Sequence, residues 1–324
     1  MPVGRPDARI AESSSICDTI LHRARADEAF ALTAESSENS GRAEQFCNAV
    51  SHAIRLRALI AVLVALPVVT GCRTQQNYAT LDGPRFIGAP ALPSLARSRQ
   101  PDTVRIVSFN IAFSVGIDSA IVTLSRDPSL NRADILLLQE MDETGTRRIA
   151  DAFGMWYVYY PATLHLKTKR PFGNAILSRW QIVEDSKLVL PNVSLLGRTQ
   201  RTATAATIRF GDSLVRVYST HLGTLFDITS GARRAQLHAI LANASKYSIV
   251  IIGGDMNSGS VGRVARAMGY AWPTERGPWT TRGGRWDHIY LKGLTVPDSA
   301  GAGTVLDVRG SSDHGAIWAT AVIR

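Results

Sequence analysis

The sequence predicts a mixed α/β domain dominated by strands, and three observations predict it. From about residue 103 the chain breaks into short apolar runs of strand length, separated by turn residues. Alternation within several runs is imperfect, as in strands buried on both faces. Helical spacing is confined to a few stretches, the clearest being Leu237, Ile240, Leu241 and Ala244 at i, i+3, i+4 and i+7. With 324 residues, 45% of them hydrophobic and 19% charged, the chain has ample material for a core and is no disordered polymer.

In chain order, residues 1–49 are rich in Ala, Ser, Arg and Glu and show no strand pattern. They read as an untranslated or disordered extension, with translation starting nearer Val50. Residues 50–71 read as a signal peptide. Arg55-Leu56-Arg57 precedes the apolar run from Ala58 to Val69, which is too short to span a bilayer, since a spanning helix takes about 20 residues. The run ends in Val69-Thr70-Gly71-Cys72, which resembles a bacterial lipobox, and Cys72 is the expected lipidation site. Residues 72–102 lack periodicity and read as a tether. The remaining residues, 103–324, form the expected folded domain. Strands are expected at 104–110, 134–139, 156–160, 174–178, 202–210, 214–220, 248–253, 286–292 and 316–322. Helices are expected to begin near Asp118, Thr144, Ser230 and Ser260, with Ser230 as a cap.

The chain's 3 cysteines all lie at or before Cys72, which excludes a disulfide scaffold, a thiol nucleophile and a thiolate metal site from the domain. A formal charge of +9 and a pI near 9.8 favour an anionic partner.

Polar residues recur where the apolar runs end. Asn110, Gln139-Glu140, Thr220-His221, Asp255-Met256-Asn257, Asp287 and Asp313-His314 all stand at such ends. Strand ends converge on one edge of a sheet, so these residues can meet across long gaps in the chain. Carboxylates and amides supply the hard oxygens that suit Mg²⁺ or Mn²⁺, and the histidines supply proton transfer.

Seven segments in order carry a resemblance. They are Ser108-Phe109-Asn110, Leu138-Gln139-Glu140, Gly173-Asn174-Ala175-Ile176-Leu177-Ser178, Ser219-Thr220-His221-Leu222, Gly253-Gly254-Asp255-Met256-Asn257, Trp286-Asp287-His288-Ile289 and Ser312-Asp313-His314. The domain resembles the endonuclease/exonuclease/phosphatase superfamily, with its deoxyribonuclease I-like fold. The resemblance implies a four-layer α/β/β/α sandwich of two mostly antiparallel mixed sheets flanked by helices. It also implies phosphoester hydrolysis with Mg²⁺, or Mn²⁺, by in-line attack of water.

Carried over residue by residue, the resemblance makes Glu140, Asn110 and Asp313 the metal ligands. Asp255 and Asn257 would position the water, His314 would contact the phosphate and Asp287 would orient His314. His221 would stand near the leaving group or a phosphate oxygen, and Asn174 on the substrate side. Lys167, Lys169 and Arg170 are expected as a phosphate-facing rim, with Arg170 as a binding residue. His165 is a candidate for substrate approach, and His288 for filling space beside Asp287. The Arg/Trp stretch 272–286 is expected either to contact substrate or to fold back on the core. The function expected is that of a monomeric, lipid-anchored, extracytoplasmic phosphodiesterase of the bacterial envelope, acting on a phosphate-bearing substrate that is a small or lipid-derived phosphodiester. The alternatives are an extracytoplasmic nuclease on DNA or RNA and a binding lipoprotein without catalysis.

Overall fold

The computed structural model of the chain describes residues 76–91, 103–165, 168–297 and 301–323, all within one unit, Thr70–Arg324. Cys72, the signal segment before it and Lys167 lie outside the described residues.

The elements run β1 (Gln76–Asn77), β2 (Phe86–Gly88), β3 (Thr103–Asn110), α1 (Ile117–Arg126), β4 (Ile135–Met141), α2 (Glu143–Phe153), β5 (Trp156–Leu164), β6 (Pro171–Ser178), β7 (Ile182–Val189) and β8 (Thr202–Phe210). Then follow β9 (Ser213–His221), α3 (Ser230–Ala244), β10 (Val250–Asp255), α4 (Gly262–Ala267), β11 (Asp287–Lys292), β12 (Ala302–Val305) and β13 (Ala316–Val322). One sheet has the order β1-β5-β6-β4-β3-β13-β12, with β2 also on β5, and the other has the order β11-β10-β9-β8-β7. Pairing is antiparallel except between β3 and β4 and between β9 and β10.

Period-two burial builds the layers. On β3, Val104 and Ile106 join a core with Leu137, Val217, Ile251 and Ile289, between the sheets. Val107 and Phe109 face the opposite way, onto α1 and α2. On the second sheet, Tyr218, Val250 and Ile252 pack against Leu237, Ile240 and Leu241 of α3. The result is helix, sheet, sheet, helix.

Helix ends follow local chemistry. Asp142 caps α2 by accepting from the Gly145 amide at 2.7 Å, and Gly154 closes it in the left-handed conformation. Thr229, not Ser230, caps α3, accepting from Ala232 N at 3.1 Å, and Ser230 is already helical. Helix α4 starts at Gly262, because Ser258 Oγ first takes the amides of Ser260 and Val261 in a turn.

The structure adds four strands to the expected set: β1, β2, β7 and β12. All are edge or near-edge strands, where backbone pairing needs no apolar pattern. Two of them correct the reading of 72–102 as tether throughout. Gln76–Asn77 and Phe86–Gly88 both pair with β5, and Arg85 bonds Asp185 on β7.

Candidate active site

The two sheets end together on one side of the molecule, and the alternation that builds their core also builds the site. Asn110 continues the phase of Val104 and Ile106, His221 that of Val215 and Val217, Asp255 that of Ile251, and Asp287 that of Ile289 and Leu291. Each is therefore a core-facing position just past the last apolar residue. Register then aligns them across three strands, because Asp255 pairs with His221 on β9 and with Asp287 on β11. A polar floor separates this set from the core. Gln139 Nε2 donates to Ser219 Oγ at 3.0 Å, and Ser219 Oγ donates to the Leu138 carbonyl at 3.1 Å.

Glu140 breaks the alternation. It follows Leu136 and Leu138, which face the helices, yet the pairing of β4 with β6 shifts register between Leu138 and Met141. Glu140 also takes a positive φ of 58°. The bulge turns its carboxylate toward the cleft, where Oε1 receives Asn110 Nδ2 at 3.3 Å and Oε2 receives the Phe113 amide at 3.1 Å. Residues Ala112, Phe113 and Ser114 all have positive φ as well, so a strained turn is spent on holding this carboxylate.

Asp255 is the hub. Its Oδ2 accepts from Asn110 Nδ2 at 3.3 Å and lies 3.2 Å from His221 Nε2. Its Oδ1 accepts from the Asn257 amide at 2.8 Å, and the Asn257 side chain donates to the Leu222 carbonyl at 3.1 Å. Burial, and then the charge of Asp287, push the Asp255 carboxyl up to about 7. Burial and the charge of Arg201 drive the His221 ring well below its usual range, which favours the neutral imidazole beside Asp255.

His314 takes the opposite state. Burial alone would lower its pKa, but the 2.9 Å contact of Nδ1 with Asp287 Oδ2 and the surrounding carboxylates hold it at about 10. It is an imidazolium at neutral pH, with Nε2 3.8 Å from Asp255 Oδ2. Thr280 Oγ1 fixes this corner by accepting from the amides of Trp286 and Asp287.

These groups open into a cleft of about 440 Å³ whose walls include Phe113, His165, Phe172, Arg201 and Trp286. His165 stacks on Phe113 with centroids 4.5 Å apart. Arg201 is the cleft residue that the sequence reading lacks. It is buried, its charge acts on Glu140 and Asp255, and it lies over the Phe172 ring. The one signal that could have found it is its place directly before the apolar run of β8, at the start of a strand rather than at its end.

Other expected residues fall elsewhere. Asp313 is exposed and lines a neighbouring depression, although its charge reaches Glu140 and His314. Asn174 is buried beneath the cleft, where its amide donates to the Thr202 carbonyl at 2.8 Å and Thr204 Oγ1 donates to its own carbonyl at 2.7 Å. It stitches the sheets together below Arg201. Arg170 lies outside the cleft, beside Asp142 at 3.3 Å, in a separate depression of about 470 Å³. His288 faces the helix side, accepting from Trp272 Nε1 at 3.1 Å, and burial takes it down to about 4, so it is structural. Trp272 folds back on the core, while Trp279 is exposed.

The fold recurs in solved structures. TDP2 from D. rerio complexed with single strand DNA product superposes with a TM-score of 0.55 at 19% identity, over 68% of this chain and 99% of that one. A functionally unknown conserved protein from Enterococcus faecalis V583 gives 0.54 at 17% identity, over 68% and 100%. The human Nocturnin catalytic domain with bound sulfate anion gives 0.50 at 17%, over 74% and 98%. No curated protein matches the chain. The profile of the Endonuclease/Exonuclease/phosphatase family matches residues 107–314, so this chain, with its two-sheet sandwich and its cluster of strand-end carboxylates and histidines, belongs to that family.

Proposed function

We propose that the protein is a divalent-metal-dependent phosphoester hydrolase that cleaves a phosphodiester by in-line attack of water. One observation carries the reading: a histidine held cationic by a buried aspartate stands 3.8 Å from a second carboxylate poised near neutrality. That is an acid–base pair with its two members pushed apart by their surroundings. Asp255 takes the proton of the attacking water, with the Asn257 amide and the Asn110 side chain fixing its two oxygens. His314 and Arg201 offset the negative charge that gathers on the phosphoryl oxygens.

The donor set fits a hard divalent cation. Glu140, Asp255 and Asp287 gather three carboxylates in one corner. Burial raises the Glu140 carboxyl, and the orphaned Nδ1 of His221 faces Glu140 Oε1 at 3.7 Å. Asp255, Asp287 and His314 also bring ligand atoms within 4.8 Å of one another, and the hydrogen bond between His314 Nδ1 and Asp287 Oδ2 engages one atom of each of those two residues. Glu140 and Asn110, with Asp313 from the rim, would hold Mg²⁺ or Mn²⁺. The cation would supply Lewis-acid polarisation of the phosphoryl group and stabilisation of the leaving oxygen.

A nuclease reading has support in the neighbouring TDP2 and its single strand DNA product. The lipobox-like Val69-Thr70-Gly71-Cys72 supports a lipid-anchored place in the bacterial envelope. Loss of membrane association on Cys72→Ser tests that part.

Hydrolysis of bis(p-nitrophenyl) phosphate, a phosphomonoester and single-stranded DNA with Mg²⁺, Mn²⁺ or EDTA tests the chemistry. EDTA is expected to abolish turnover, and His314→Ala to lower it by about 10²–10⁴-fold. Turnover indifferent to both contradicts the reading.

A further inference from the structure

Two loops at the mouth of the cleft carry an unusual surface. In the first, between β7 and β8, Val193, Leu195 and Leu196 are exposed, Leu195 by 72% and Leu196 by 55%. In the second, after β9, Leu225 is exposed by 41% and Phe226 by 92%. The loops are tied into one lip, because the amides of Leu195 and Leu196 both donate to Asp227, at 3.0 Å each.

The lip is propped from below by two buried polar side chains of α3. Gln236 accepts from the Gly223 amide and donates to the carbonyls of Pro191 and Asn192. Arg233 donates to the carbonyls of Thr224 and Ile228. A loop that merely wanders into solvent needs no such scaffold. Here the fold buries a guanidinium and an amide to hold five large apolar side chains outward.

Clustered exposed apolar side chains of this kind mark a contact with lipid or with an apolar partner. Their composition selects between occupants. A polynucleotide groove presents rows of Lys and Arg along the backbone and aromatic platforms under the bases. The lip presents four aliphatic side chains, one phenylalanine and the single exposed cation Arg198. Aliphatic groups do not stack bases, but they do enter acyl chains. The lip is also continuous with the cleft, since Leu196 and Phe226 line both. A molecule with a phosphodiester at one end and hydrocarbon at the other meets the two surfaces at once.

We propose that the lip seats on a lipid surface and that the substrate is a phospholipid phosphodiester, an inference that rests on the phosphoester-hydrolase reading above. Water adds to phosphorus, one P–O ester bond breaks, and the water's proton ends on the departing alcohol. Arg198 would meet anionic headgroups beside the lip.

The test uses the full-length protein and its Leu195→Glu/Leu225→Glu double variant, two residues outside the cleft. Each is assayed with Mg²⁺ on bis(p-nitrophenyl) phosphate, on vesicles of phosphatidylethanolamine and phosphatidylglycerol, and on single-stranded DNA. The proposal expects vesicle lipid hydrolysis to fall by about tenfold or more in the variant while the soluble ester is turned over at the parent rate, since two exposed leucines entering the acyl region supply at least that much partitioning. Equal vesicle hydrolysis by the two proteins overturns it. So does a parent that cleaves the soluble ester but no vesicle lipid, which leaves the hydrolase reading standing. A parent that cleaves nothing overturns both. A variant whose loss falls on DNA instead hands the lip to nucleic acid.

Discussion

His314 and Asp255 show how one corner sets two protonation states. Both are buried, yet Asp287 bonds only His314, so the imidazole is held up to about 10, while burial and the charge of Asp287 raise the Asp255 carboxyl to about 7. The sign of the pH dependence follows. A histidine raised above its ordinary 6.5 stabilises the fold fully below that value, and the gain is lost as pH climbs through 10. Asp287→Asn removes the partner and leaves burial to lower the ring. Its turnover relative to the parent is expected to be worse at pH 8 than at pH 6. Its deficit in melting temperature should be largest near pH 6 and shrink toward pH 10, as thermal melts across that range will read. A deficit constant with pH contradicts the pairing. At this scale the sequence spoke well where residue type and strand end coincide, as at Asn110, Asp255 and Asp287. It did not mark Arg201, because an arginine at a strand start is ordinarily a solvated charge, nor Arg170's engagement by Asp142, which depends on where two loops meet.

The strands converge only because their backbones come very close at one point, and the pair Gly253-Gly254 permits it. A Cβ on Gly253 would stand 2.5 Å from Leu137 Cδ1 of the facing sheet. Gly254 has φ of +152°, and a Cβ there would lie 1.8 Å from the Thr220 carbonyl oxygen. A side chain at 254 must push β9 away from β10, and with it His221 away from Asp255. Gly254→Ala is expected to destabilise by about 3 kcal/mol, from over-packing and backbone strain together, and to cost activity beyond the folded fraction. Urea unfolding with parallel assay measures both, and an unchanged midpoint contradicts the account. The strands of the sheet interiors were legible as apolar runs. Edge strands β1, β2, β7 and β12 were not, since β7 carries Glu184, Asp185 and Lys187 and is held by backbone pairing and polar side-chain bonds, such as Thr207 Oγ1 to Glu184, without an apolar pattern. The bulge that aims Glu140 was equally silent, because a register shift has no residue signature when the bulged position is not glycine.

Across the whole molecule, the two sheets supply the frame and loops at their ends wall the cleft. The α/β/β/α layering follows from alternation that any single strand displays only weakly, and it became predictable through the ordered motifs rather than through the apolar pattern. Those motifs mark the polar floor of the cleft. They say nothing of the lip formed by residues 192–197 and 223–227, whose meaning depends on exposure and on the props from α3. None of the described helices is long and apolar enough to cross a membrane.

The central claim is that this cleft hydrolyses phosphoesters with water activated at Asp255, and turnover of bis(p-nitrophenyl) phosphate with Mg²⁺ by the parent and by Asp255→Ala tests it most directly. The account predicts measurable turnover by the parent and a loss of about 10²–10⁴-fold in kcat in the variant at equal folded fraction. Parent-like turnover by a folded Asp255→Ala protein would contradict it.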